Sequence, residues 1–153
     1  MKKILIICVV LIVSTSSLYA QNKTIKGRVI SEFFEIMPSA LIMINDTVSV
    51  GKTDLDGFFQ IEIPVSVKKI SLWCLGLEPA RIELTDKCDE AEVVMIASFT
   101  YDFMTLSEVD KLRMKRFKKL PELHKEAFAK GLFKTDTACY AQEFRPYYNK
   151  KQH

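Results

Sequence analysis

Two carboxylates spaced two residues apart and followed at once by glycine, Asp54, Asp56 and Gly57, match the opening of a calcium loop. A loop of the helix–loop–helix kind needs a bidentate Glu about six residues past its glycine. Ile63 stands there, and the residues between alternate in the manner of a strand. The other reading is a tight turn, in which Asp accepts backbone hydrogen bonds and Gly supplies positive φ. The missing ligand favours the turn.

Other chemistry-bearing residues are few. His124 and His153 are the only histidines, and neither has a Cys, Ser or acid arranged as a triad or metal set. Glu126 is two residues from His124, which on a helix points it elsewhere. His124 therefore reads as a surface or half-buried helix residue. No CxxC and no Cys/His cluster is present, which argues against zinc. No catalytic residue, cofactor or metal is expected.

The densest charge is Lys111, Arg113, Lys115, Arg116, Lys118 and Lys119. It could meet anionic headgroups, polysaccharide or an acidic protein face, or be the solvated side of an amphipathic helix. Of these residues, Lys115, Arg116, Lys118 and Lys119 are, with Phe33, Phe34 and Trp73, the candidate partner contact. Phe33, Phe34, Trp73, Tyr147 and Tyr148 could offer stacking surface to a sugar or a peptide.

The elements that must position these residues follow from patterning. Lys2 and Lys3, ten residues from Ile4 to Val13 that are apolar or Cys, and a small polar stretch ending at Ala20 form the layout of a secretory signal. That run is short of the roughly 20 residues that span a bilayer, so the mature chain is expected to have no transmembrane segment. From Gln21 to Ala97, short strands alternate with turns. "TIKGRVIS" sets Ile25, Gly27 and Val29 against Lys26 and Arg28, and "FFQIEI" sets Phe59, Ile61 and Ile63 against Gln60 and Glu62. With "ALIMIN", "TVSVGKT", "KKISLWCLG", "ARIEL" and "AEVVMI" the spacing predicts a mainly β fold, a seven-strand antiparallel β-sandwich.

The tail, 98–153, changes period. Thr105 and Glu108 form a capping box, and Leu106, Val109, Leu112, Phe117 and Leu120 recur at helical spacing, predicting a helix over about 105–120. Pro121 opens a second helix, about 121–130, with Leu123 and Phe128 inward and Gly131 as its stop. The rest is read as irregular. Residues 21–97 carry 8 basic and 12 acidic side chains, whereas 98–153 carry 12 and 7. Such a split marks an interaction surface or a solvated helix face. Nucleic acid is not expected for an exported chain.

The order of "IKGRVIS", "PSALIMINDT", "GKTDLDGFFQIEIP" and "ISLWCLGLEPARIEL" resembles the carboxypeptidase regulatory-like domain. Gly27, Val29, Pro38, Ala40, Thr53, Asp54, Gly57, Phe59, Gly76 and Glu78 occupy the matching positions, with Thr53, Asp54, Gly57 and Phe59 as the family turn. Two departures are "EFFEIM" in place of a Gly/Asn-rich first turn, and Leu77 in place of an aromatic. The resemblance implies a transthyretin-like sandwich. Such domains accompany metallocarboxypeptidases and outer-membrane nutrient receptors, whose companion parts this sequence does not contain. Hydroxyisourate hydrolases share that fold but use sandwich histidines, and 21–97 has none.

Cys74, Cys88 and Cys139 follow the signal region. Any two could bridge in an oxidising compartment, and shared location within 21–97 favours Cys74 with Cys88. The expectation is an exported, non-catalytic binding or assembly module, periplasmic, outer-membrane-associated or secreted. The alternative is an accessory sugar- or peptide-binding protein serving nutrient uptake.

Overall fold

A computed structural model describes residues 21–148. The expected signal segment and His153 lie outside the described residues. Seven strands occupy the first segment: β1 (Asn22–Ser31), β2 (Leu41–Ile44), β3 (Val48–Lys52), β4 (Phe58–Pro64), β5 (Lys69–Trp73), β6 (Ala80–Leu84) and β7 (Glu90–Met95). Two helices follow, α1 (Leu106–Phe117) and α2 (Leu120–Ala129), and then an eighth strand, β8 (Tyr140–Glu143). No helix among the described residues is long and apolar enough to cross a membrane.

The strands form two sheets, ordered β4-β1-β7 and β3-β2-β5-β6-β8. They pack face to face over Ile25, Val29, Ile42, Ile61, Ile63, Ile70, Leu72, Ile82 and Val93, which makes the fold a β-sandwich. The period-two pattern of β1 and β4 places these side chains inward, and antiparallel pairing from Asn22↔Pro64 to Arg28↔Phe58 aligns the two strands. Gly27 is needed for close approach. A Cβ there would lie 1.9 Å from the Ala91 carbonyl oxygen and 2.6 Å from the Phe59 ring.

Two expectations are corrected here. The sandwich is not wholly antiparallel, because β1 and β7 run parallel from Lys26↔Glu90 to Ser31↔Met95. These strands are separated in the chain by β2 to β6, which occupy both sheets, so no hairpin dictates their direction. The last segment is not wholly irregular either: β8 pairs antiparallel with β6 from Arg81↔Glu143 to Leu84↔Tyr140.

The outer face of the three-stranded sheet is also buried. Ile30, Val94 and Ile96 pack against Leu120, Ala127 and Phe133, with Phe34, Phe117 and Leu123 at the margin. Burial on both faces explains why "EVVM" in β7 loses its alternation. The tail thus covers one sheet with helices and extends the other with a strand.

Candidate interaction face

The Asp54 turn is structural. Its Oδ1 accepts the backbone N–H of Asp56 at 3.0 Å and of Phe58 at 2.8 Å, and the Asp54 N–H donates to the Phe58 carbonyl at 2.8 Å. Gly57 has φ +76°, and a Cβ on it would meet the Val29 carbonyl oxygen at 2.8 Å. Buried Thr53 joins the turn to the β1–β2 connection: its Oγ1 accepts from Ala40 N–H at 2.8 Å and donates to the Met37 carbonyl at 2.6 Å. Phe59 points into the core.

Within the basic cluster, arginines and lysines part company. Arg113 is buried and grips Glu78 through both oxygens, at 2.9 and 2.8 Å. It also donates to Asp110 at 2.7 Å and to the Arg145 carbonyl at 3.1 Å, and its guanidinium lies 3.6 Å from the Tyr147 ring centroid. Burial opposes its charge, but the hydrogen bonds to Glu78 and Asp110 prevail and hold its pKa above the ordinary value. Arg116 pairs with Glu32, donates to the Ala97 carbonyl at 2.7 Å and to the Tyr101 hydroxyl at 3.2 Å, and covers Phe99 at 4.4 Å. The expectation of Arg116 as an exposed partner contact is therefore corrected. The inward stripe of α1 is Val109, Arg113, Arg116, Phe117, while Leu106 and Leu112 are exposed. On α2, likewise, Phe128 is exposed and Leu120, His124 and Ala127 face in.

Lys111, Lys115, Lys118 and Lys119 are exposed, and none has a carboxylate partner among the described residues. Beside them the segment Phe144–Tyr148 runs back along α1. Asp110 holds it there, accepting Tyr147 N–H at 2.9 Å and Tyr148 N–H at 2.8 Å. Burial would raise the Asp110 pKa, but these two amides and Arg113 outweigh it and lower it. Phe144 packs edge-on against Phe117, 5.4 Å between centroids. Helix and segment flank a shallow, open groove of about 670 Å³, lined by Lys111, Met114, Lys115, Lys118, Phe144, Pro146 and Tyr148.

The aromatic residues are dispersed. Phe34 edges the helix-side core with Lys130 over its ring at 4.8 Å, and Phe33 is exposed in the same turn. Trp73 is 37% exposed; its Nε1–H donates to Ser71 at 3.2 Å, and Arg81 lies 5.6 Å from its ring. No two of Phe33, Phe34, Trp73, Tyr147 and Tyr148 stack on each other among the described residues.

His124 is 3% exposed against Phe133, and its Nε2 has no hydrogen-bond partner among the described residues. Burial lowers its pKa, and the nearby Glu92 carboxylate only partly offsets that. The bridge is also corrected: Cys88 pairs with Cys139, Cα atoms 5.2 Å apart, and Cys74 is free. β8 carries Cys139 to the β6–β7 turn, where its carbonyl accepts the Thr85 hydroxyl at 2.8 Å. A signal for the arginine placement did exist in the residue types. Arginine, with its planar fork, suits buried carboxylate pairing better than lysine, and it stands at 113 and 116 on one stripe of the helix. No protein-family model, curated protein or solved structure matches the chain.

Proposed function

We propose that this chain is an exported, non-catalytic β-sandwich of the carboxypeptidase regulatory-like, transthyretin-like kind, acting as a binding or assembly module in the bacterial cell envelope. The lysine face of α1 is its contact. One observation carries this reading: the arginines of α1 are spent on internal carboxylates, while Lys111 and Lys115 of α1 and Lys118 and Lys119 just after it face outward without one among the described residues. Charges that serve the fold are paired and desolvated, whereas charges left in solvent on one helix face are available to a partner.

The test is affinity capture from native envelope extract with the native chain and with Lys111, Lys115, Lys118 and Lys119 all changed to Glu. A protein retained by the native form and lost by the variant supports the module. Recovery of the same proteins by both forms removes the lysine face from the reading.

A second reading, an accessory sugar or peptide binder in nutrient uptake, is favoured by one feature. The tail helices cover the three-stranded sheet, and Trp73 on the other sheet stays partly exposed. It is the only tryptophan in the chain, so its emission during titration with oligosaccharides or peptides reads this alternative directly.

A further inference from the structure

We infer that the groove between α1 and the Phe144–Tyr148 segment receives an extended peptide in which acidic and apolar residues alternate. This deepens the module reading and rests on it. The two walls differ in chemistry. Lys111, Lys115 and Lys118 form a cationic row on the helix, while Phe144, Pro146 and Tyr148 form an apolar wall opposite, with Met114 between them. Asp110, the one carboxylate at the groove, is engaged by two backbone amides and Arg113, so it leaves the cationic row largely uncompensated.

The spacing fits a strand. Lys111 to Lys118 covers roughly 10 Å of helix, and successive same-side residues of an extended chain recur about every 6.8 Å. The row therefore accommodates about two carboxylates at alternate positions, shared among the three lysines, and the intervening side chains would turn to the apolar wall. The walls are already in place, because Asp110 and the Phe117–Phe144 contact fix the segment on the helix, so little ordering is required on binding. A flat anionic membrane fits less well. It would engage every exposed cation alike and would make no use of an apolar wall set beside the row. The residues after Tyr148 add two further lysines, so like charge disfavours them as the occupant.

The experiment is fluorescence anisotropy on the full chain with a labelled peptide of alternating Glu and Leu. Its comparison peptide has the same composition with the acids and leucines in separate blocks. The alternating peptide is expected to bind about tenfold more tightly than the blocked one. Lys111→Glu, Lys115→Glu and Lys118→Glu together should weaken it by about tenfold or more, and Tyr148→Ala severalfold, whereas Lys87→Glu, exposed on the distant β6–β7 turn, should leave it within about twofold. Unchanged thermal unfolding of these surface variants shows that folding is not the cause. Equal binding of both peptides, or indifference to Tyr148→Ala, overturns the inference. Binding to phosphatidylglycerol vesicles that needs the lysines but not Tyr148 also overturns it, in favour of a membrane surface. If an envelope partner is captured by the native chain and still captured by the Tyr148→Ala form, the module stands and the groove falls. If the native chain captures none, the module falls whatever the peptide does.

Discussion

Arg113 shows what one guanidinium on the inward side of a helix can organise. It joins α1 to Glu78 before β6, to Asp110 in its own helix and to the Arg145 carbonyl in the closing segment. Removing one member of a buried pair leaves an uncompensated charge, so Arg113→Leu should cost about 3–5 kcal/mol in denaturant unfolding. Arg113→Lys should recover only part of this, since an ammonium cannot grip both Glu78 oxygens. His124 gives the opposite case, a buried base held neutral. Its folded pKa lies below the ordinary 6.5, so between the two values the unfolded chain binds more protons. Stability at neutral pH is therefore lost as pH falls through about 6.5 toward the folded value. Replacing it, as in His124→Leu, should flatten that loss: melting curves at pH 8 and pH 5 should differ less for the variant than for the native chain.

At the scale of elements, β8 and its disulfide tie the tail to the sheet. The bond spans 51 residues, including β7 and both helices. Loop-closure entropy for such a ring is worth about 4 kcal/mol. Reduction, or Cys88→Ser with Cys139→Ser, should lower the thermal midpoint markedly, whereas Cys74→Ser should barely move it. Alkylation without reductant, read by mass spectrometry, should label Cys74 alone among these three. Gly27 governs the parallel β1–β7 contact, and Gly27→Ala should cost about 2–3 kcal/mol or more by forcing the strands apart.

Much of this was legible in the chain, for local reasons. Alternation in β1 and β4, the Asp54–Gly57 turn and the Thr105–Glu108 capping box each rest on residues within a few positions of one another. What was not legible depends on distant partners. The residues of β8, Tyr-Ala-Gln-Glu, carry neither an apolar run nor a period-two alternation, and the edge they pair with exists only once β6 is in place. Leu106 and Leu112 satisfied helical spacing, yet the inward stripe was chosen by Glu32 and Glu78, which receive the arginines. Cys139 reached Cys88 by the same non-local route.

Across the whole molecule the tail completes the core rather than hanging from it. The helices cover Ile30, Val94 and Ile96, and β8 covers the edge of β6. A chain ended after Ala97 would expose that apolar sheet face and an unpaired strand. It should bind a hydrophobic dye and elute as larger species in size-exclusion chromatography, while the full chain should not. The ring closed by Cys88 and Cys139 also has a mechanical consequence. Both helices lie inside it, so a pull on the lysine face is carried back to covalently joined points just before β7 and β8, one strand in each sheet of the sandwich. Even if the helices unwound under load, only the enclosed residues could extend, by at most roughly 3.5 Å each. Tension arriving through α1 would meet a tether of fixed maximum length.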